Sequence, residues 1–191
     1  LSEGMRLTQK PPTLIGLLEW ANQFPLNENH EITWGYPYHF GDFLKYHSGS
    51  ALCGLSLGFK LVQSLLEQGL GSVPKTGVKT RGAFGGKGMR DAFNYVFQLD
   101  DKTGFTFDLE TRVVVECSKA SSGVYAFEVT YPNGKYHLGI RPGVVRDEFL
   151  DAVRLRNEGE LSLEAVRVLQ WEMCQRVLPA PPTEICNVRK L

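Results

Sequence analysis

An excess of charge of one sign is the first thing this sequence lacks. Twenty-one basic and 21 acidic residues cancel over 191 positions. A neutral chain has no electrostatic footprint of a nucleic-acid binder and no polybasic tract for an anionic membrane surface. Long hydrophobic runs are also missing, and none approaches the roughly 20 residues of a membrane span. Residues 1–10 are polar and carry no apolar signal core. These absences predict a cytoplasmic protein that engages neither nucleic acid nor membrane. Cysteine is scarce: Cys53, Cys117, Cys174 and Cys186 are too few and too scattered for a disulfide scaffold. No CxxC occurs, which argues against a thioredoxin-type centre and a zinc ribbon. Cys174 and Cys186 have no second pair to complete four ligands, so they read as buried apolar residues. Paired carboxylates and a nucleophile–base–acid triad are absent as well, so no reaction is assigned.

What is present is an ordinary globular composition, 42% hydrophobic and 22% charged, long enough for one sizeable domain. Thr13 caps a short helix that ends before Pro25. From Ile32 to Tyr46 the chain is aromatic-rich, with Gly35, Pro37 and Gly41 arguing for a packed loop. The clearest helix runs over 55–68, with Leu55, Phe59, Val62, Leu65 and Leu66 on one face. A Gly- and Lys-rich loop follows, and a shorter helix spans 89–97. The period then changes to two, predicting strands over 105–107, 112–117, 124–130 and 136–140. Pro132-Asn133-Gly134 is a hairpin turn, because Asn-Gly tolerates the positive φ it requires. Helices return over 145–156 and after the cap Ser162, where Leu163, Val166, Leu169 and Met173 face inward. Pro179, Pro181 and Pro182 end that helix, and the last nine residues read as a loosely ordered tail. The sum is an α+β fold with an antiparallel meander. It divides into an N-terminal helical arm (1–29), a core (30–178) and a tail (179–191).

The chemistry concentrates in the turn from Tyr46 to Gly54. His47 and Cys53 lie in a Gly/Ser-rich segment at the head of the best helix, whose free N–H groups favour a thiolate or another anion. They are metal ligands, or a His-activated thiol, or a buried Cys beside a backbone-bonded His. A metal needs three or four donors, and His39 is the nearest further candidate, with Cys117 and His137 more remote. The loop from Arg81 to Asp91 departs from a P-loop, since Gly82 is one residue too close to the Gly86-Lys87 pair and Gly88 follows the Lys. Lys87, Arg90 and the backbone there suit a carboxylate or phosphate group. His30 and His137 read as surface residues.

The His/Cys turn with its helix, the Gly-rich loop and Asp91-Ala92 together resemble the FmdE-like family, named for a component of the formylmethanofuran dehydrogenase complex. That family carries a HGHxCPGxxxG turn entering a helix, then a helix opening with Asp-Ala. Gly49, Gly54, Gly58, Asp91 and Ala92 match it, over roughly residues 30 to 150. With the glycines aligned without a gap, Ser48 and Ser50 stand at the two histidines and Leu52 at the cysteine. With a gap, His47 and Cys53 take those roles. The family's C-terminal four-cysteine zinc finger is not present. The resemblance implies an α+β core, a homodimer and a transition metal, zinc first, on His47, Cys53 and His39. Lys87, Arg90 and Asp91 would then meet a small anionic ligand. It also implies a second role, as an accessory or metal-delivery module for a molybdenum or tungsten oxidoreductase. A third expectation is a metal-free small-molecule binder that uses the aromatic segment as its pocket.

Overall fold

Thr13 begins the first described element. Its hydroxyl accepts from the Gly16 N–H at 3.4 Å and caps α1 (Leu14–Ala21). The computed structural model describes residues 12–26, 39–47, 51–70, 76–99, 104–132 and 134–191. Most of the aromatic segment, with Trp34, Tyr36 and Tyr38, therefore lies outside the described residues, as does His30 before it. So do Ser48, Gly49, Ser50 and Asn133.

Helix α2 (Phe40–Tyr46) occupies the end of the stretch read as loop. Asp42 explains the difference: its carboxylate accepts from the His39 N–H at 3.0 Å and closes the helix start. Helix α3 (Leu52–Leu65) starts earlier than its periodicity suggests and extends through one π turn, Leu66–Leu70. It is the centre of the molecule. Leu55, Leu57, Phe59, Leu61, Val62 and Leu65 are fully buried, the signature of a helix covered on every side. Even Lys60 is buried, donating to the Ala180 carbonyl at 2.7 Å and to Gln63 at 3.0 Å. Burial lowers its ammonium to about 8.

Strand β1 (Lys79–Gly82) lies inside the segment read as a Gly-rich loop. Helix α4 (Lys87–Phe97) follows, then β2 (Thr106–Phe107), β3 (Ala126–Tyr131) and β4 (Gly134–Ile140). Helices α5 (Asp147–Asn157), α6 (Leu163–Val177) and the short α7 (Pro182–Ile185) lead to β5 (Cys186–Lys190). The described residues thus form an α+β body of seven α-helices and one sheet in the order β2-β1-β3-β4-β5. β1 and β2 are parallel, and the other neighbours are antiparallel. None of these helices is long and apolar enough to cross a membrane.

Three further expectations change. Residues 112–117 form no strand, because the Val114 N–H goes to the His137 imidazole at 3.1 Å instead of a ladder. The segment lies as a strap over β4, and a Cβ on Gly139 would collide with the Cys117 Sγ. The end of the chain is not loose: β5 pairs with β4 over five residues, from Cys186 against Ile140 to Lys190 against Tyr136. Leu163, at the first turn of α6, is 39% exposed rather than inward.

Aromatic contacts lock the layers. Phe43 and Phe40 of α2 meet Phe59 of α3 edge-on, at 5.0 and 5.4 Å. Phe43 also meets Tyr95 of α4 at 5.0 Å. Trp20 of α1 stands 4.7 Å from Trp171 of α6. Helices α3 and α4 come to backbone contact because small residues face each other. A Cβ on Gly88 would sit 2.4 Å from the Ala51 carbonyl oxygen and 2.5 Å from the Leu55 nitrogen. A Cβ on Gly54 would meet nothing closer than 3.5 Å. Gly88→Ala must push the two helices apart, at a cost of about 1–3 kcal/mol. Gly54→Ala instead gains helix propensity of about 0.5–1 kcal/mol. Denaturant melts of the two variants should therefore move in opposite directions, and equal losses would contradict this packing.

Candidate functional site

His47 ends α2, where its N–H donates to the Phe43 carbonyl at 2.8 Å. The aromatic contacts of α2 with α3 and α4 fix where that end lies. The imidazole is wholly covered by protein, and its Nδ1 is 2.6 Å from Oδ2 of Asp91, which is 18% exposed. The Ala51 N–H, just before α3, donates to His47 Nε2 at 3.3 Å. These two contacts assign the tautomer: Nε2 accepts, so Nδ1 carries the proton and donates to Asp91. Asp91 belongs to the first turns of α4, and on the same helix Lys87 and Arg90 are exposed. The junction thus combines the N-terminal turns of α3 and α4 with one oriented imidazole, one carboxylate and two cations.

The other expected ligands go elsewhere. His39 begins α2 and His47 ends it, roughly 12 Å apart along the axis. Cys53 is 7% exposed and shares its surroundings with Cys174 and Tyr125, whose ionisation its charge opposes. Burial pushes the Cys53 thiol up to about 12, although the backbone N–H groups of Gly54 and Cys53 pull the other way. The helix start does favour a thiolate here, and desolvation wins. Cys53 is accordingly a neutral thiol at pH 7. Burial also pushes Cys117 up to about 11, and it raises Cys174 and Cys186 too. All four cysteines are free.

The zinc shell implied by the resemblance is not assembled by these residues. Among the described residues no group of three or more His, Cys, Asp or Glu side chains is placed to hold a metal ion. His47 offers one imidazole whose Nε2 is already engaged, and Cys53 is protonated on another face of α3. No protein-family model matches this chain, and no curated protein matches it significantly.

A second polar cluster lies on the sheet, where the sequence pattern suggests only a surface histidine. His137 is 7% exposed, and its Nε2 lies 3.1 Å from Oε2 of the buried Glu128. Because Nδ1 accepts from Val114, Nε2–H is the donor. Arg81 Nε and Lys135 Nζ each approach Glu128 at 3.1 Å. Burial pulls the Glu128 carboxyl upward, but hydrogen bonds from Lys135 and His137 and the charge of Arg81 outweigh it. The group ends below the ordinary Glu value. The turn did not reveal this pair in advance: an Asn-Gly loop would set Glu128 opposite Gly139, whereas the strands pair with Tyr131 against Gly134 and so bring Glu128 opposite His137.

A depressed carboxyl stabilises the fold above its unfolded pKa of about 4.3 and loses that contribution as pH falls through its folded value. Glu128→Gln should therefore destabilise the protein at pH 7 by about 1–3 kcal/mol, with the gap closing as the pH is lowered below about 4. Urea melts across that range check it, and a gap that widens with acid contradicts the assignment.

Proposed function

We propose that this chain binds a small anion, a carboxylate or phosphate group, at the α2–α3–α4 junction without a resident metal. The observation that carries this reading is the convergence of two helix N-termini in backbone contact, with His47 held between them by Asp91. Helix N-termini favour negative charge through their free N–H groups and dipoles. Lys87 and Arg90 add two cations on the α4 side. Asp91 fixes the orientation of the imidazole through Nδ1. The reading keeps the anionic-ligand role that the FmdE-like resemblance implies for Lys87, Arg90 and Asp91, and it leaves out the metal. It places the protein in the cytoplasm, where four free thiols persist reduced.

The test is calorimetric titration of the full chain, after chelator treatment, with inorganic phosphate and with acetate. At least one should bind, and Lys87→Ala and Arg90→Ala should each weaken that binding about three- to tenfold. Failure of both anions to bind, or binding indifferent to both variants, overturns the proposal. So does zinc retained near stoichiometry in the untreated protein and lost in His47→Ala, which would restore the metal reading.

A further inference from the structure

The opposite end of α4 carries a separate cleft of about 520 Å³, within the range of small-molecule pockets. Val78 and Thr80 of the β1 segment, Phe97, Gln98 and Leu99 at the end of α4, and Thr106 of β2 line it. Two of these residues depart from local preferences, although the left-handed turn at Gln98 also closes α4 by letting the Leu99 N–H donate to the Asn94 carbonyl at 3.0 Å. Gln98 has φ 52° and ψ 44°, and it is the one non-glycine residue with positive φ among the described residues. Glycine is the cheap residue at such a helix end. Thr80 is 3% exposed, and among the described residues its hydroxyl has no hydrogen-bond partner. A buried orphan hydroxyl calls for an explanation, and a valine would fill the same space without it. Positions that violate local rules mark function more often than accident.

We infer that this cleft is a binding site for a neutral small molecule with an apolar body and an amide or alcohol head group. Val78, Phe97 and Leu99 supply the apolar wall. Threonine hydroxyls and the Gln98 amide both donate and accept, which suits an uncharged head group. An anion is disfavoured because the cleft lies at the carbonyl end of α4, the negative end of its dipole. A cation is disfavoured because no acidic residue lines the cleft among the described residues, while Lys79 does. A turn of Thr80 about χ1 hands its hydroxyl to the occupant. This site is independent of the His47 junction.

The experiment is a heteronuclear NMR titration of the full chain with phenylacetamide, and with phenylacetate as its charged isostere. Phenylacetamide should give saturable shifts over residues 76–80 and 97–99, with a dissociation constant of about a millimolar or tighter. Phenylacetate should bind about fivefold more weakly or worse. Gln98→Gly and Thr80→Val should fold with an unchanged or higher melting temperature, yet each should lose about fivefold in amide affinity. Absence of saturable shifts overturns the inference, as does equal or tighter binding of phenylacetate. Amide affinity untouched by both variants overturns it too. A lower melting temperature in Thr80→Val would show that the hydroxyl serves the fold, and would also overturn it.

Discussion

The approach of α3 to α4 until their backbones touch sets the position of nearly everything else. Gly88 fits against the Ala51 carbonyl and the Leu55 nitrogen, and Gly58 fits against Ala92, where added Cβ atoms would collide. That contact brings two helix starts together, and the His47 imidazole reaches both, Ala51 before α3 and Asp91 on α4. The 2.6 Å contact between His47 and Asp91 then ties the end of α2 to α4 across the start of α3. Breaking a buried, charge-assisted contact of this kind costs about 1.5–3 kcal/mol. The pair is therefore a structural clamp as well as the chemical centre of the junction. On the far side, Phe93 of α4 lies 5.6 Å from Phe127 of β3, so the same helix seats the sheet.

Much of this was legible in the sequence, and the failures have physical causes. The helices with strong periodicity or a capping residue (α1, α3, α4, α6) form close to where their patterns put them, and β3 pairs with β4 as a hairpin, but in a shifted register: Tyr131 faces Gly134, where an Asn-Gly turn would set Pro132 against Lys135. Strand β1 was missed because Lys79-Thr80-Arg81-Gly82 is polar: its outward residues are a lysine and Arg81, which pairs with Glu128, and its inward ones are a threonine and a glycine. The Val-rich stretch 112–117 has the composition of a strand, but a histidine captured its backbone donor. β5 was missed because its order comes from β4, a long-range partner that local pattern cannot reveal.

The candidate site divides in the same way. Sequence spacing singled out His47, Lys87, Arg90 and Asp91, and the fold sets His47 against Asp91, with Lys87 and Arg90 on the same helix. Spacing also suggested Cys53 and His39, which join no metal-holding group among the described residues. Cys53 is two residues from Ala51, yet on a helix that is enough to turn it toward Cys174. His39 is separated from His47 by the full length of α2. Proximity in sequence is not convergence in space, and desolvation of Cys53 adds a penalty that composition cannot show. Helix α4 emerges with two different ends. Its N-terminal end carries two cations and free N–H donors, and its C-terminal end faces a cleft lined by threonine hydroxyls and the Gln98 amide.

The protonation pattern of His47 distinguishes a hydrogen-bonded imidazole from a metal-bound one. Nitrogen-15 NMR of the histidine ring, recorded before and after chelator treatment, reads both nitrogens. The account predicts a proton on Nδ1, a bare Nε2, and no change on chelation. An Nε2 signal characteristic of a metal-bound nitrogen that disappears with chelator, or a proton residing on Nε2 in the ligand-free protein, would contradict it.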